Sequence, residues 1–482
     1  MPSPLSTVVL LASLVSSALS APSQYDFSKI DPSQIIQRDV VVVGAGSAGL
    51  HAAINLIDHN KTVMVIEMKS RVGGHFETAR DPISGRSAEA GVVILHNEPQ
   101  VKQFFGRFNV PLRNISLNDL GPSSRPVDLR TGQLIPAGAI QQPSQQAQAQ
   151  AFQKLAAFLA QYPELDRGLF VKEPVAPELL MPMGQLIPKL GLEPIANTLA
   201  GLVSNNGDFL NTPVIQVTRI VGLSLLQTIA GGSFLTSAKN DNSELTDKAG
   251  AELAAKKSLL LSSKVVHTRR QKHGVQLVVQ TPNGIKYICA KKLLMAVPPR
   301  VEALQAFDLR QNEKDIFNKL IATGYYAAIL NNTGLPAGQS YANVSPEKPY
   351  GIPDLPTTFT ISANPIPGTF TAFYGTSASR SAYAVSDDYV KSQMIASIKK
   401  LQAANPQTAN QTQPDFFYYT AHPPYAIQAK PEDIQAGIYR KMYDLQGQDS
   451  CFWTGAAFRA EDSSNIWRFN LEVVLPALLK SL

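Results

Sequence analysis

The sequence is short of cysteine, tryptophan and charged side chains. Its 482 residues include two cysteines and two tryptophans, and 17% of them are charged. Two cysteines cannot build the multiple-disulfide framework of a small secreted domain. The 43 basic and 37 acidic side chains give a net charge of +6 without a dense Lys/Arg block, so nucleic-acid binding is not expected. No group of His, Cys and Asp has metal-ligand spacing, and no G-x-S-x-G motif indicates a hydrolase.

Apolar residues, in contrast, are plentiful. They make up 44% of the chain, which is enough to bury a large core and excludes wholesale disorder. The 34 prolines are scattered without a period, so no collagen-like or low-complexity class fits. A chain of this length is expected to fold into roughly three domains, or two large ones.

The N-terminus predicts export from the cell. Residues 7–19 form an apolar run of signal-peptide length, and Ala18 and Ser20 place small residues at the cleavage positions. Serines interrupt this run, so it is too short for a membrane anchor, and no later stretch is long and apolar enough to span a bilayer. We therefore expect a signal peptide over residues 1–20 and no stable membrane anchor. The mature protein is then secreted or lies in the lumen of the secretory pathway. An N-terminal tail without a targeting role is the alternative.

Two further features bear on secretion. The possible N-glycosylation acceptors are Asn60, Asn114, Asn331, Asn343 and Asn410. Pro346 directly follows the tripeptide of Asn343 and argues against its use. The two cysteines, Cys289 and Cys451, either pair in an oxidising compartment or serve as separate buried apolar side chains.

The strongest local signal lies in residues 39–50. Four consecutive valines, residues 40–43, are typical of a strand buried on both faces in a parallel sheet. Gly44, Gly46 and Gly49 follow with the spacing of a dinucleotide-binding turn. Gly44 permits the tight turn, Gly46 lets the backbone approach a pyrophosphate, and Gly49 lets the next helix pack close to the strand.

A helix and a second strand complete this unit. We predict a helix over residues 47–58, whose N-terminal amides, beginning at Ser47, point at the phosphates of the cofactor. The second strand, residues 62–67, ends in Glu67, an acid placed to accept hydrogen bonds from ribose hydroxyls. An acid at this position disfavours a 2′-phosphate. The unit fits either NAD or FAD, and a βαβ unit that binds nothing is the alternative interpretation.

Residues 71–78 follow the second strand and resemble the R-x-G-G-R-x-x-T motif of amine-oxidase-type flavoproteins. Gly73 and Gly74 remove side chains where the backbone must approach a bulky cofactor, and Arg71 can neutralise phosphate charge. His75 occupies the position of the family's second arginine, where it donates one hydrogen bond or faces the flavin edge. The resemblance implies that the cofactor is FAD.

Later segments resemble the same family in the same order. Residues 231–235 resemble its G-G-x-x-x-L element, which opens a helix ahead of the adenine-side strand. We predict that strand over residues 259–266. The resemblance places Val265 where the backbone contacts adenine.

The next segments continue the likeness. Residues 275–279 and 286–290 predict a hairpin, and residues 292–299 resemble the family's apolar strand that ends in a proline pair.

The C-terminal segment resembles the part of the family that closes the flavin site. Gly455 belongs to an element similar to the family's F-x-G-E-A strand and is a cofactor-binding candidate. Ala456 replaces the family's glutamate, so a contact near the ribityl–phosphate region is missing or is made by other groups. We predict a closing helix over residues 465–479, with Ser463 and Ser464 as its caps. In the family, the start of this helix faces the flavin's pyrimidine carbonyl.

A narrower resemblance is to the fungal β-cyclopiazonate dehydrogenase group, secreted flavoproteins that oxidise secondary-metabolite intermediates. It rests on the glycine turn, the G-G-H triplet, and residues 81–85 and 91–97. It implies an FAD-dependent oxidoreductase that removes a hydride from a small organic substrate, which is a secondary-metabolite intermediate or an amine. The electrons pass to oxygen or another acceptor. The segments between the motifs are only loosely similar, so substrate identity does not carry over.

The cofactor motifs lie at both ends and in the middle of the chain. We therefore predict an α/β fold in which a Rossmann-type FAD-binding domain is combined with a discontinuous α+β substrate domain. The FAD-binding segments are residues 37–115, 225–300 and 441–482, and the substrate-domain segments are residues 116–224 and 301–440.

Within the substrate domain, apolar periodicity predicts an amphipathic helix over residues 149–162, although its Gln-rich start is also compatible with a flexible linker. Two strands, residues 357–362 and 369–374, read as a hairpin. A helix follows Ser386. Its apolar face consists of Val390, Met394, Ile398 and Leu401.

The sequence leaves the catalytic residues open. Flavin-dependent oxidation needs little from the protein beyond positioning, exclusion of water and sometimes a proton acceptor. The candidates, each of which also fits an ordinary packing role, are His96, Tyr325, Tyr326, Tyr374 and Trp467. Two alternative functions also stay open: an isomerase that keeps FAD as a non-redox cofactor, and a flavin-free binding protein on the same fold.

Overall fold

The computed structural model describes residues 25–116, 119, 124–136, 138–140, 143–380 and 384–482. The predicted signal peptide, residues 1–20, lies outside the described residues, as do the first two glutamines of the Gln-rich segment.

The strands of the described residues are numbered in chain order. They are β1 (Ile35–Val43), β2 (Val63–Ile66), β3 (Thr78–Asp81), β4 (Arg86–Glu89), β5 (Leu112–Ile115), β6 (Arg125–Asp128), β7 (Gln133–Leu134), β8 (Phe234–Ser237), β9 (Leu259–Leu260), β10 (Lys264–Gln271), β11 (Gly274–Thr281), β12 (Gly284–Met295), β13 (Ile321–Thr323), β14 (Tyr325–Asn331), β15 (Tyr341–Asn343), β16 (Thr357–Ala363), β17 (Phe370–Gly375), β18 (Asp415–Ala421), β19 (Tyr425–Gln428) and β20 (Cys451–Trp453).

The α-helices of the described residues are numbered in the same way. They are α1 (Ser47–Asp58), α2 (Pro99–Arg107), α3 (Gln145–Leu159), α4 (Pro177–Leu180), α5 (Met183–Leu190), α6 (Ala196–Leu202), α7 (Val214–Thr218), α8 (Leu223–Ala230), α9 (Ser243–Ala255), α10 (Gln311–Phe317), α11 (Asp387–Ala404), α12 (Pro431–Gln435), α13 (Ile438–Tyr443), α14 (Ser463–Phe469) and α15 (Leu475–Lys480). A π-helical turn, Asn470–Val474, joins α14 to α15.

The first large sheet holds the predicted dinucleotide unit. Its strand order is β10-β11-β12-β1-β2-β9, and β20 also pairs with β12. β1 runs parallel to β12 and β2, whereas β10, β11 and β12 form an antiparallel meander. Val40, Val41 and Val42 are fully buried, as expected for a parallel strand covered on both faces. The predicted hairpin strand and the predicted proline-ended strand are one continuous strand, β12.

The second large sheet is antiparallel except at one pair of strands. Its order is β18-β14-β17-β16-β15-β6-β7, and only β15 and β6 run parallel among its described strands. The predicted hairpin is confirmed as β16 and β17. Helix α11 packs on this sheet, and its four predicted apolar residues are buried there. Its N-cap is Ser386, whose side chain accepts from the amide of Tyr389.

The two larger hydrophobic cores of the described residues correspond to the two large sheets. The larger core joins the first sheet to helices α3 to α8, and the smaller one joins the second sheet to α11. The predicted α/β class with two sheet-based halves is therefore confirmed. The chain enters the first sheet in three separate segments, while the individual domain boundaries remain predictions.

Three predicted elements differ from the structure. Residues 231–235 do not open a helix. They lead into β8, which pairs with β5, and helix α9 begins only at Ser243. The predicted strand over residues 259–266 is two strands. The first, β9, pairs with β2 at one edge of the sheet, and the chain then crosses to the opposite edge, where it forms β10. The closing helix begins at Ser463, and its cap is Asp462, whose side chain accepts from the amide of Asn465.

The two cysteines are not bridged. Cys451 is buried and Cys289 is partly buried, and both are free thiols. Cys451 lies opposite Leu293 of the adjacent strand, four residues further along β12 than Cys289. At about 3.3 Å per residue, this offset exceeds the reach of a disulfide. The interpretation as two separate apolar side chains therefore holds.

Candidate functional site

The turn between β1 and α1 has a backbone that excludes side chains. Gly44 has φ +101°, and a Cβ there would lie 2.7 Å from the carbonyl oxygen of Ala296. A Cβ on Gly49 would lie 2.0 Å from the carbonyl oxygen of Gly44, so the helix can approach the strand only with glycine at this position. A Cβ on Gly46 would meet no protein atom closer than 3.7 Å. Gly46 lines a cavity, and its missing side chain therefore leaves room for a ligand.

Glu67 lies against this turn, as predicted. One carboxylate oxygen accepts from the amide of Ala45 at 2.8 Å, and the other accepts from the amide of Lys69 at 2.7 Å. Glu67 also lines the cavity. A carboxylate has about four acceptor positions, so hydroxyl groups of a ribose can bind to those that the two amides leave open.

The G-G-H segment packs directly on the glycine turn. The amide of Gly73 donates to the carbonyl oxygen of Ala45 at 2.8 Å. Gly74 has φ +58°, and a Cβ there would lie 2.8 Å from the Cα atom of Gly46. The two glycine motifs therefore form one surface, to which both must contribute bare backbone.

Arg71 lies beside this surface. Its guanidinium donates to the carbonyl oxygens of Val72 and Gly74, each at 3.1 Å, and forms an ion pair with Glu77. In this arrangement Arg71 stiffens the G-G-H turn, and it is not among the described residues that line the cavity. The lining includes Lys69, a cation that the sequence analysis did not single out. A phosphate contact of Arg71 therefore stays a prediction.

His75 belongs to a cluster of four rings on the cavity wall, together with Tyr325, His422 and Tyr425. The ring centroid of His75 lies 4.5 Å from that of His422 and 5.3 Å from that of Tyr425. Tyr325 lies 5.1 Å from Tyr425 by the same measure. The strand ends of the second sheet thus meet the G-G-H turn of the first sheet at this wall.

Burial keeps all four rings of this cluster uncharged. Burial lowers the pKa of His75 well below its usual value, and neighbouring His422, Lys69 and Arg71 lower it further. Burial also lowers the pKa of His422 to about 4. For the two tyrosines it raises the pKa above the usual value. The wall is therefore neutral at physiological pH.

A histidine between two carboxylates lies elsewhere along the cavity. The Nε2 atom of His96 lies 3.3 Å from a carboxylate oxygen of Asp462, and its Nδ1 atom lies 3.7 Å from one of Glu98. Burial acts to lower the pKa of His96, but these carboxylates outweigh it and raise the pKa above its usual value. His96 is therefore a candidate imidazolium at the start of the closing helix, held by the residue that caps this helix.

Glu461 adds a titratable acid to the same part of the cavity lining. Burial raises the pKa of its carboxyl group to about 7, while Arg219 and the amide of Ala426 act in the opposite direction. A carboxyl group that titrates near neutrality can accept or donate a proton.

The remaining catalytic candidates separate into one residue at the cavity and three in the cores. Tyr325 lines the cavity. Tyr326 and Tyr374 are buried in the core of the second sheet, on the opposite face of their strands. Trp467 is fully buried behind α1, and its indole N–H donates to the Ser47 hydroxyl at 3.0 Å. These three are packing residues.

Ser47 and Gly455 lie where the resemblance predicts, in the cavity lining. Gly455 has φ +98°. At Ala456, which replaces the family's glutamate, the carbonyl oxygen accepts from the buried guanidinium of Arg219 at 2.7 Å. Arg219 thus organises this segment. Val265 is buried on β10 and is not among the described lining residues, so its adenine contact stays a prediction.

The cavity links all of these groups. Its volume is about 890 Å³, within the range of pockets that enclose a small ligand or cofactor. One part is lined by the glycine turn and Glu67, and another by the aromatic wall and by Phe359 and Phe373 of the second sheet. The bare glycine surface, the ribose-side carboxylate and the N-terminus of α1 together fit a dinucleotide.

Sequence reasoning missed several residues of this cavity. His422 and Tyr425 flank a proline pair after β18, and Asn205 donates to the hydroxyl of Tyr425 at 3.2 Å. The His-Pro-Pro-Tyr segment is an available signal, since prolines end a strand and hold flanking side chains in place. Asn205 lies among short helices and carries no local signal. The same holds for Arg219, which holds the Ala456 segment and is not among the described lining residues.

These features define the class of protein as a Rossmann-type, dinucleotide-binding oxidoreductase of amine-oxidase fold. Residues 42–108 match the family model described as "NAD(P)-binding Rossmann-like domain". Among solved structures, the CLA-producing fatty acid isomerase from P. acnes is similar with a TM-score of 0.73 at 16% identity, covering 91% of this chain and 98% of that one. Cyclohexylamine oxidase from Brevibacterium oxydans is similar with a TM-score of 0.61 at 14% identity, covering 92% and 98%.

Curated relatives define the family more closely. The FAD-dependent oxidoreductase oblC of Cochliobolus heterostrophus is 40% identical over 98% of this chain and 97% of the relative. Beta-cyclopiazonate dehydrogenase of Aspergillus flavus is 30% identical over 91% and 92%. The chain belongs to the family of FAD-dependent oxidoreductases. Its cofactor is FAD, and it is an enzyme that removes a hydride from a small organic substrate, which confirms the prediction from the sequence.

Two features are absent from the part of the chain that the structure describes. None of its helices combines the length and the apolar character needed to cross a bilayer. No group of three or more His, Cys, Asp and Glu side chains is arranged to hold a metal ion.

Proposed function

We propose that this enzyme oxidises a secondary-metabolite intermediate in the cavity beside the aromatic wall, with oxygen as the acceptor of the electrons. The observation that carries the proposal is that one cavity joins the dinucleotide surface of Gly44 and Glu67 to the four-ring wall. The names of the relatives support the substrate class, because one of them is a dehydrogenase of cyclopiazonate.

Bound FAD supplies a two-electron acceptor for the hydride. The protein's own groups bind and orient. Glu67 holds the ribose, the glycine surface admits the pyrophosphate, and the aromatic wall excludes water and aligns a planar substrate. Glu461 titrates near neutrality and is the candidate to accept the proton that leaves the substrate with the hydride.

The decisive experiment is an anaerobic titration of the purified holoprotein. A panel of β-cyclopiazonate, other planar aromatic compounds and amines is added while the flavin absorbance is followed. A substrate should bleach this absorbance, and admission of air should restore it with formation of hydrogen peroxide.

Other outcomes would favour the alternatives. A substrate that is isomerised without bleaching would indicate a non-redox role of FAD. A purified protein without flavin absorbance, before and after acid precipitation, would indicate a flavin-free binding protein and would contradict the proposal.

We also propose that the protein is exported and glycosylated. Asn60, Asn114 and Asn410 are exposed, whereas Asn343 is buried and its amide bonds to Thr357 and Thr358. Glycans are therefore expected on the first three but not on Asn343. N-terminal sequencing of the mature protein and glycosidase digestion followed by peptide mass spectrometry test both points, and a mature chain that keeps residues 1–20 would contradict export.

A further inference from the structure

One end of the cavity is polar and lies at the hairpin of β16 and β17. Phe359 and Phe373 line the cavity on these two strands, and further along the hairpin the lining residues are Ser362, Asn364 and Thr371. Ser362 lies opposite Thr371 in the strand pair, and the side-chain amide of Asn364 donates to the Thr371 hydroxyl at 3.1 Å. Because two residues of a strand span about 7 Å, the lining changes from aromatic to polar within about that distance along β17.

Arg113 of β5 belongs to the same end of the cavity. Its guanidinium donates to the side-chain oxygen of Asn240 at 2.7 Å, and both side chains line the cavity. Asn240 and Pro365, the residue after Asn364, also line a smaller pocket that adjoins it. Arg113 is an exposed residue, so a ligand in the cavity can reach its side chain. Among the described residues the guanidinium makes this one hydrogen bond, which leaves most of its N–H donors open.

The acids of this region leave the positive charge of Arg113 without a direct partner. The amide and the hydroxyl of Ser116 donate to the carboxylate of Asp119 at 2.7 and 2.8 Å, and they lower its pKa together with the charge of Arg113. No ion pair joins Arg113 to Asp119. Burial raises the pKa of Glu89, another lining residue, to about 8, so this carboxyl group is largely neutral at physiological pH.

A second guanidinium adds to the positive charge. Arg86 donates to the carbonyl oxygen of Pro365 at 3.3 Å and lines the adjoining pocket with Asn240. Like Arg113, it forms no ion pair with a residue that the structure describes. Polar side chains and two exposed cations at one end of a cavity whose other wall is aromatic fit a ligand with an acidic group on an otherwise apolar frame.

We propose that Arg113 binds an acidic group of the substrate, a carboxylate or an ionised enol, while the planar part of the substrate lies against the aromatic wall. This inference rests on the proposed function, because it names the substrate class of the same site. A guanidinium binds a carboxylate through two parallel hydrogen bonds, which fix orientation as well as position. Arg113 is then a specificity residue that decides which end of the substrate enters the cavity first.

The test compares two probes of the same shape that differ in charge. The dissociation constants of 6-phenylhexanoate and 6-phenylhexanamide from the purified protein are measured by isothermal titration calorimetry. At low salt the wild-type protein should bind the carboxylate about 5- to 10-fold more tightly, since a charge-assisted pair at an exposed site contributes modestly. Added salt should reduce this preference, because it screens exposed charges. Equal binding of the two probes at low salt would overturn the proposal.

Three variants locate the acidic group. Arg113→Gln removes the charge, so the preference for the carboxylate should fall to less than about 2-fold, whereas Arg113→Lys keeps the charge and should give an intermediate preference. Arg269→Gln is the matched control, since Arg269 is exposed on β10 and is not among the described residues that line the cavity. It should bind both probes as the wild type does. An undiminished preference in Arg113→Gln, or an equal loss in Arg269→Gln, would contradict the assignment to Arg113.

The calorimetric measurement does not depend on flavin absorbance or turnover. A panel of substrates that never bleaches the flavin would therefore defeat the proposed function, while the ratio of the two affinities would still decide the role of Arg113.

Discussion

At the scale of single residues, the carboxylate of Glu67 has two tasks. It accepts hydrogen bonds from two backbone amides, and it faces the cavity where a ribose is expected. The first task shapes the turn, and the second is the predicted contact with the cofactor. Because hydrogen bonds to a charged group are roughly twice as strong as neutral ones, both depend on the negative charge.

Glu67→Gln should reduce FAD binding. The amide retains one acceptor oxygen but turns an N–H₂ group toward a backbone amide, so affinity for FAD should fall by about 10-fold or more. Titration of the apoprotein with FAD, followed by flavin fluorescence, measures this. Glu178→Gln is the control, since Glu178 is not among the described residues that line the cavity and pairs with Lys189. Equal FAD affinity of Glu67→Gln and wild type would show that Glu67 does not contact the cofactor.

At the scale of elements, the turn between β1 and α1 joins two elements that are nearly in contact. Gly44 donates through its amide to the carbonyl oxygen of Ile66 at 2.8 Å, and this bond ties the turn to β2. The carbonyl group of Ala296, the residue directly after β12, lies beside Gly44. Three adjacent strands of the first sheet therefore converge on one glycine.

Gly44→Ala should cost more stability than the same change at another glycine with positive φ. The matched control is Gly284→Ala, because Gly284 has φ +97° but no atom within 4 Å of its added Cβ. Backbone strain lowers the stability of both variants, and only Gly44→Ala adds a clash with the backbone of Ala296. The free energy of unfolding of Gly44→Ala should fall by about 2 kcal/mol more than that of Gly284→Ala. Urea titration followed by circular dichroism measures it, and equal losses would refute the crowding at Gly44.

At the scale of the whole molecule, helix α14 near the C-terminus packs against α1 near the N-terminus in the larger core. His51 of α1 stacks on Trp467 of α14 with 5.5 Å between ring centroids, and Asp462 caps the same helix beside His96. Residues separated by more than four hundred positions therefore share one buried contact. Because the pKa values of His51 and His96 are shifted in this region, the stability of the protein depends on pH.

His51 should lower the stability of the protein in acid. Burial lowers its pKa from 6.5 to about 3 in the folded protein, so between these values the unfolded chain binds a proton that the folded chain does not. Stability present above pH 6.5 is therefore lost as the pH falls toward 3. His51→Phe keeps a ring in place and should remove about 3 kcal/mol of the loss between pH 7 and pH 4.

Denaturant titrations at several pH values measure this difference. The raised pKa values of Glu89, about 8, and of Glu461, about 7, act in the opposite direction, so the comparison is between variant and wild type at each pH. His273→Phe, at an exposed turn, should leave the pH dependence unchanged. An identical pH dependence in His51→Phe and wild type would show that folding does not lower the pKa of His51.

The order of local signals along the chain was sufficient to predict the cofactor half of the molecule. The four valines, the glycine spacing and Glu67 are neighbours in sequence, so their geometry follows from one strand, one turn and one helix. The helix after Ser386 was predictable for the same reason, because its cap and its apolar face repeat within one element. The resemblance to a known family then identified the cofactor, which the physical pattern alone left as NAD or FAD.

The residues that line the substrate part of the cavity could be identified only from the tertiary structure. Strand periodicity assigns Tyr325 and Tyr326 to opposite faces, but not which face lies against the cavity. His422, Tyr425 and Glu461 come from segments that are far from the glycine turn in sequence, and they acquire their shifted pKa values only through shared burial. The amino-acid sequence by itself determined the strand–turn–helix unit and the position of Glu67 beside its turn, because that unit is local. Folding decided which rings and acids meet it, because desolvation and long-range packing exist only in the assembled molecule.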